Sequence, residues 1–272
     1  MRHRLLLRAT PSLRVDARAL LPAALSALGR EEVLRVLLPC GREGVPVGEW
    51  FEVLSQVLDD SLPCLTVEGD LGRFDFLGAA LSDGSLEVEG NVGDCAGLGM
   101  SGGELRVQGS ARDLAGCAMS GGRLQVQGSV GDFAAGALAG EMEGMRGGTL
   151  VVRGRAGARL GDRMRRGTVV VHGEAGEFLG SRMVAGTIAI AGRCGAHAGW
   201  GMRRGTVVFA GDAPAPPASF VPVRAEAEVF WQLLARDLAG FGGVFEDLPR
   251  RNIARWAGDL AVDGKGEWIL PR

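Results

Sequence analysis

The chain has 272 residues, with 30 lysines and arginines against 32 aspartates and glutamates, which gives a formal net charge of −2. This balance excludes a strong overall field that would attract nucleic acid or a membrane surface. Its 45 glycines, ten phenylalanines and absence of tyrosine suit a narrow, repetitive core better than a bulky globular one.

At the N-terminus, the apolar run at residues 5–7 is too short for a signal peptide, and no later run reaches membrane-spanning length. The five cysteines are scattered and odd in number, which is typical of reduced, intracellular thiols. We therefore expect a soluble cytoplasmic protein that binds neither membrane nor nucleic acid.

The sequence pattern of residues 1–63 predicts a small α/β segment that caps the repeats of the central region. We expect strands at residues 4–8, 36–39 and 47–53. A helix is expected at residues 22–28, with proline in its first turn and Gly29 after its end. A further helical turn is expected at residues 31–35.

From residue 64 to residue 212 the sequence repeats with a period of nineteen residues. Five copies have this length: 85–103, 104–122, 149–167, 168–186 and 187–205. The copy at 64–84 has two extra residues, the copy at 123–148 has seven, and the last, at 206–212, is truncated. A fixed period of this kind indicates a solenoid whose stacked units share one core.

Each copy begins with an alternating segment, which indicates a short β-strand. The second and fourth positions are apolar in Leu86/Val88, Leu105/Val107, Leu124/Val126, Leu150/Val152, Val169/Val171, Ile188/Ile190 and Val207/Phe209. Glycine recurs at the sixth and last positions, where we expect bends with positive φ. Methionine stands three positions before the closing glycine, and we expect an inward ladder of Met100, Met119, Met145, Met164, Met183 and Met202. The pattern predicts an all-β-dominated fold, a right-handed parallel β-helix of about seven to eight coils.

The third position of each strand points away from this core. It is polar in Glu87, Arg106 and Gln125, and apolar in the later copies, which have Val151, Val170, Ala189 and Val208. An outer apolar stripe needs a cover. Either the chain's own C-terminal helix or another subunit supplies it.

Arginines gather near the last bend of the later copies and form a basic edge. They are Arg146, Arg165, Arg166, Arg182, Arg203 and Arg204. This edge is either solvated surface or a binding surface for an acidic partner or anionic ligand. Asp94, Asp113 and Asp132 form a converse row, expected to be turn residues or partners of cations from elsewhere.

Residues 213–272 are expected to form a linker, a helix and a docking tail. The proline-rich residues 214–218 predict a stiff linker. Residues 226–239 predict an amphipathic helix. Its apolar face would comprise Val229, Phe230, Leu233, Leu234 and Leu238.

We find no catalytic, cofactor-binding or metal-binding residue in the sequence. Residues 97–102 match G-x-G-x-x-G and residues 99–103 match G-x-S-x-G, but both arise from the repeat and lack the strand-to-helix context. His3, His172 and His197 have no partner at metal-ligand spacing, and the last two fit surface turns. Carboxylates brought together on one face stay possible, so a free-standing carbohydrate-active β-helix enzyme is an alternative.

The copies, with their G-x-x-G-x-x-x-G pattern and closing Met-x-x-G, resemble a known glycine-repeat β-helix. It occurs in the C-terminal domain of the glutamate synthase large subunit and in the C-type subunit of formylmethanofuran dehydrogenase. Residues 47–53 (VGEWFEV) and 257–267 (AGDLAVDGKGE) are similar to the ends of the second protein and favour it. A scaffold for a glutamate synthase-type enzyme stays open as an alternative.

Subunits of this family serve two kinds of complex in one-carbon metabolism. One is the molybdenum or tungsten formylmethanofuran dehydrogenase of methanogens. The other is the formyltransferase/hydrolase complex of methylotrophic bacteria, which moves a formyl group from formyl-tetrahydromethanopterin to methofuran and hydrolyses it to formate. A single lysine against 29 arginines suits a GC-rich bacterium and favours the second.

The resemblance implies that this chain is a scaffold without a cofactor of its own. Its partners would be an amidohydrolase-like subunit, a formyltransferase subunit and a further paralogous subunit, with zinc and methofuran bound there. The apolar stripe and the arginine edge would dock these subunits, or the edge would contact a polyglutamate tail of the cofactor.

Overall fold

The computed structural model describes residues 1–57, 62–223 and 228–272. Its N-terminal segment contains β1 (Arg2–Leu7), β2 (Val15–Asp16), α1 (Pro22–Ser26), α2 (Arg30–Leu34), β3 (Leu37–Cys40), β4 (Glu43–Pro46), α3 (Val47–Trp50) and β5 (Phe51–Gln56).

The repeat region contains β6 (Cys64–Glu68), β7 (Phe74–Asp75), β8 (Ser85–Glu89), β9 (Ser101–Val107), β10 (Ser120–Val126), β11 (Arg146–Val152), β12 (Arg166–Val171), β13 (Thr187–Ile190) and β14 (Thr206–Phe209). The C-terminal part contains β15 (Val221–Val223), α4 (Glu228–Ala239), β16 (Ile253–Gly258) and β17 (Gly266–Pro271), with 3₁₀ turns at Gly243–Phe245, Leu248–Arg250 and Leu260–Val262.

The repeat strands pair in chain order within one large, mostly parallel sheet. The described part of the chain contributes thirteen strands to this sheet, in which β6 is followed by β8 and then by β9 to β14 in sequence. A second line of parallel bridges joins the eighth position of successive repeats, from Leu71 and Val92 through to Cys194. Neighbouring repeats thus meet in the same register at two separate places. The expected β-dominated fold with few helices is confirmed.

The core is built from the apolar positions of the repeat. The second and fourth positions of the repeat copies are buried, as Leu124 and Val126 show with 0% exposure. All six repeat methionines are also 0% exposed. The expected inward methionine ladder is therefore confirmed.

The repeat glycines have two different roles. The closing glycine Gly122 has φ +74°, a left-handed conformation that favours glycine, as expected. The sixth-position glycine Gly109 does not have positive φ, so that expectation is wrong there. A Cβ on Gly109 would lie 2.5 Å from the carbonyl oxygen of Gly90. Close approach between repeats is what requires glycine at this position.

The N-terminal segment extends the sheet beyond the first repeat. Strand β1 pairs parallel with β6, and β5 pairs antiparallel with β1. The expected strand at residues 47–53 is partly wrong, because residues 47–50 form the helical turn α3. This turn places Val47 and Trp50, three residues apart, together in the core, whereas a strand would put them on opposite faces.

The C-terminal tail extends the other end of the sheet. Strand β17 pairs parallel with β14, and Trp268 on β17 packs against Phe209 and Phe220, with ring centroids 4.8 and 4.7 Å away. Asp259 binds the tail to the last full repeat, because its carboxylate accepts the backbone N–H of Gly201 at 3.0 Å. The AGDLAVDGKGE segment therefore closes the end of the core.

Helix α4 packs Leu238 and, in part, Leu234 against the protein as expected, but the rest of its expected apolar face is exposed. The start expected at residues 226 and 227 lies outside the described residues. Its buried residues are Trp231, Ala235 and Leu238, whereas Val229 and Leu233 are 76% and 60% exposed. The spacing of four and three residues between the buried side chains aligns them along one stripe of the helix.

Within residues 1–57, 62–223 and 228–272, no helix combines the length and the apolar character that a membrane crossing needs.

We expect Met164→Ala to lower the free energy of unfolding by about 2–5 kcal/mol, because it leaves a cavity in the methionine ladder. Met142→Ala is the matched control, since Met142 is 72% exposed, and it should change stability by at most about 0.5 kcal/mol. Urea unfolding of both variants measures the difference. Equal effects would contradict the inward ladder.

Candidate functional site

The apolar stripe is covered by the chain's own C-terminal residues. Val170, Ala189 and Val208 are each 0% exposed, and Val151, next to Val170 in register, is 1% exposed. The second apolar cluster of the protein joins these three residues to Ala210, Trp231, Ala235, Leu238, Phe245, Leu248 and Ile269. Of the two expected covers, the chain's own C-terminal segment and another subunit, the first is the one observed. Its residues are not an exposed partner surface, which corrects that expectation.

Five of the six candidate arginines are exposed near the last bend: Arg146, Arg165, Arg166, Arg203 and Arg204. Arg146 and Arg166 are register partners on adjacent strands. Among the described residues, only Arg165 of these five has an ion pair, with its Nε 2.9 Å from Glu143 Oε1. Like charges on neighbouring strands repel, so this edge favours an anionic partner.

The sixth candidate, Arg182, does not belong to the exposed edge. It precedes the inward Met183 instead of following a methionine, and it has φ +53°. Its Nη2 donates to Asp162 Oδ1 and Oδ2 at 2.8 and 2.9 Å, and its Nε donates to Oδ1 at 3.1 Å. Arg182 therefore serves an internal ion pair, which corrects the prediction.

Asp162 is the buried charge that this arginine neutralises. It is 2% exposed, and the Ser181 hydroxyl also donates to its carboxylate. A buried carboxylate is tolerated where a guanidinium and further hydrogen bonds replace water. The pair therefore fixes the position of Arg182 at this corner of two successive repeats.

A cavity of about 340 Å³ lies beside this pair. Its lining comprises Asp113, Leu114, Phe133, residues 137–141, Asp162, Arg163 and Arg182. The loop at residues 137–144 contains the insertion that distinguishes the long copy at 123–148. The cavity is thus specific to one place along the repeats.

The loop is held in place by the repeat that comes after it. Arg163 Nη1 donates to the Glu141 carbonyl oxygen at 2.7 Å and to Met142 Sδ at 3.1 Å. The backbone N–H of Gly144 donates to the Arg163 carbonyl oxygen at 2.9 Å. Met142 itself is 72% exposed, so the loop presents an apolar side chain to solvent.

An aromatic and cationic ladder, which was not predicted from the sequence, runs along the neighbouring bend. Its members Phe133, Arg159, Phe178 and His197 occupy the eleventh position of successive repeats, all with positive φ. The guanidinium carbon of Arg159 lies 4.6 Å from the Phe178 ring centroid, and His197 stacks on Phe178 at 4.9 Å. The sequence did contain a signal for this ladder. The eleventh position holds Cys95 and Leu114 in the earlier copies and changes to aromatic, arginine and histidine residues in the later ones.

The aspartate row supports the stacking of the repeats. Asp113 Oδ1 accepts the backbone N–H of Asp132 at 2.9 Å, and Asp132 Oδ1 accepts that of Ala158 at 2.7 Å. Asp94 also pairs with Arg14 and Arg112 at 2.8 and 3.1 Å. Both expected roles, turn residue and cation partner, are confirmed.

Two buried cysteines are kept in the neutral thiol form by their surroundings. Burial raises the pKa of the Cys95 thiol to about 11 and that of Cys117 to about 12, so both are neutral at physiological pH. The described residues contain no group of three or more histidine, cysteine, aspartate and glutamate side chains placed to hold a metal ion. His197 is exposed, as expected of a turn residue.

His172, expected in a surface turn, is half-buried under the C-terminal segment. Its Nε2 lies 2.7 Å from Arg153 Nη1, and its ring meets Phe245 edge-on at 5.1 Å. Burial, and then the Arg153 charge, lower the pKa of His172 below its ordinary value of 6.5. Protonation of His172 therefore weakens its packing against Arg153 and Phe245.

A family model described as the GXGXG motif matches residues 73–216, which is more than half of the chain. The C-type subunit of the formyltransferase/hydrolase complex (Fhc) of Methylorubrum extorquens is 43% identical over 80 residues, and this match spans only 29% of this chain and 29% of that protein. A chain in the crystal structure of the formyltransferase/hydrolase complex (FhcABCD) from Methylorubrum extorquens, in complex with methylofuran, is similar throughout. It superposes with a TM-score of 0.90 and 42% identity over 99% of both chains.

Arg182→Leu should destabilise the protein by about 2–3 kcal/mol, since it leaves the Asp162 carboxylate buried without its cation. Arg182 is partly exposed, so we expect less than a fully buried pair would lose. Arg165→Leu, at an exposed ion pair, is the matched control and should cost at most about 1 kcal/mol. Chemical unfolding distinguishes them. An Arg182→Leu variant as stable as the control would contradict the internal role.

Acidification should weaken the packing around His172. Because its native pKa lies below 6.5, its contribution to stability is present above pH 6.5 and is lost as the pH falls through the native pKa. Thermal unfolding of the wild type and His172→Gln, at about pH 8 and about pH 5.5, tests this. The variant should lose less stability on acidification, and parallel losses would contradict the prediction.

Proposed function

The chain belongs to the GXGXG motif family and is similar to the C-type subunit of the formyltransferase/hydrolase complex, and from this premise we propose that it is the corresponding subunit of such a complex. The observation that carries the proposal is the end-to-end similarity to a chain of the solved complex. In this proposal the complex transfers a formyl group from formyl-tetrahydromethanopterin to methofuran and hydrolyses it to formate. The chain acts in the cytoplasm, where its five cysteines, all free in the structure, stay reduced.

The chain serves this complex as a rigid scaffold, and the chemistry takes place in partner subunits. The partners are an amidohydrolase-like subunit that holds zinc, a formyltransferase subunit and a further paralogous subunit, with methofuran bound among them. The environment of the chain's own candidate groups supports this role. Asp162 is neutralised by Arg182, the aspartates bind backbone N–H groups, and the buried thiols have raised pKa values.

The scaffold is a right-handed parallel β-helix at residues 64–212, capped by residues 1–63 and closed by residues 213–272. Parallel pairing at two places of every repeat supports this architecture. So does the spacing of nineteen residues between paired positions, which a chain that winds once per repeat would produce.

Partner subunits dock on the arginine edge of this scaffold. Arg146, Arg166, Arg203 and Arg204 are exposed and have no ion pair among the described residues. Guanidinium groups form strong, paired hydrogen bonds with carboxylates. The edge therefore suits acidic segments of other subunits, and it would also bind a polyglutamate tail of the cofactor.

Purification of the tagged chain from its source tests the proposed function. The chain should elute with three other subunits, and the assembly should hydrolyse formyl-tetrahydromethanopterin to formate, whereas the isolated chain should not. Partners carrying molybdenum or tungsten would identify the redox complex instead. Activity of the isolated chain on a polysaccharide, or elution without partners, would contradict the proposal.

Charge reversal at Arg165, Arg166, Arg203 and Arg204 should weaken assembly, by about tenfold or more in partner affinity, because four contacts to carboxylates become repulsive. The matched control reverses four other exposed arginines, Arg2, Arg42, Arg236 and Arg272, and changes the net charge equally. Pull-down of the co-expressed subunits compares the two. Unchanged stoichiometry in the first variant would count against the edge as a docking surface.

A further inference from the structure

We propose that the loop at residues 137–144 docks one partner subunit, which inserts an apolar side chain into the cavity behind the loop and places carboxylates against the flanking arginines. The proposal rests on the proposed function and names the part of the scaffold that selects the partner. The partner element is a short acidic segment with an apolar residue at its centre.

The loop is a local departure from an otherwise regular repeat. Five copies have nineteen residues, and a copy of that length suffices to pair with both neighbours. The seven extra residues at 123–148 are therefore not needed for stacking. They are nevertheless ordered by the bonds from Arg163 to Glu141 and Met142. An insertion that is held rigidly at the surface is pre-organised for binding.

The cavity provides a site for one anchoring side chain. Its apolar lining residues are Leu114, Phe133, Ala137 and Leu138, and its charged ones are Asp113, Glu141, Arg163 and the Asp162–Arg182 pair. Because Arg182 and Ser181 already bind the Asp162 carboxylate, a buried apolar group does not have to displace an unpaired charge. Anchors of this kind, seated in a pocket near the centre of an interface, contribute most of its binding energy.

The loop carries Glu141 and Glu143, and the strands that adjoin it carry exposed arginines. Glu143, at the end of the loop, pairs with Arg165, and this bond places the loop next to the arginine edge. Arg146 and Arg166 on the adjoining strands have no ion pair among the described residues. The loop thus lines the cavity with residues 137–141 and reaches the arginine edge through Glu143. Charge complementarity identifies an acidic segment as the occupant.

Two substitutions test the site within the complete complex. Ala139→Trp adds bulk at the rim of the cavity, on an exposed loop residue, and Met142→Glu adds a negative charge at a side chain that is 72% exposed. Leu13→Glu is the matched control, because Leu13 is 56% exposed in the N-terminal segment, away from the loop. Each chain is co-expressed with the three other subunits, and circular dichroism and thermal unfolding confirm its fold.

We expect both loop variants to lose affinity for one partner subunit by about tenfold or more, the size typical of an interface anchor, while the control retains it. Full retention of every partner by the loop variants, or an equal loss in Leu13→Glu, would overturn the proposal. So would a wild-type chain that is dimeric alone and becomes monomeric with Met142→Glu while its partners stay bound. If the wild-type chain recovers no partner, it is the proposed function that fails.

Discussion

The structure depends on how closely the backbones of successive repeats approach one another. A Cβ on Gly121 would lie 2.2 Å from the Ser101 carbonyl oxygen, and one on Gly90 would lie 1.8 Å from that of Gly69. Only glycine fits at these positions, so each repeat must place a glycine wherever the backbone of the one before comes closest. This requirement keeps the strands in register, and it keeps the methionines in line inside the core.

A core that repeats so regularly leaves little room for variation except at its bends and ends. The ends are used for closure, because β1 and β17 continue the sheet beyond the first and last repeat strands. The features that depart from the repeat therefore lie at the bends of its later copies: the loop with Met142, the Asp162–Arg182 pair and the exposed arginines. Their position on one rigid support is what a docking role requires.

The sequence predicted the regular part of this structure and missed most of its exceptions. Period-two alternation and the nineteen-residue spacing identified the strands and the inward Met164 correctly, because both arise from local geometry. The buried face of α4 was predicted only in part, as at Leu238, since it depends on the distant stripe at Val170, Ala189 and Val208. Arg182 was misplaced because its buried partner, Asp162, is recognised only when two repeats are stacked.

The central claim is that a rigid, self-closed scaffold receives its partners at one basic edge and loop. Hydrogen exchange, measured by mass spectrometry on the isolated chain and on the assembled complex, tests it most directly. The account predicts slow exchange in the repeat strands in both states. New protection in the complex should be confined to residues 137–146, 163–166 and 203–204. Strands that become protected only on assembly, or a loop and edge that exchange equally in both states, would contradict it.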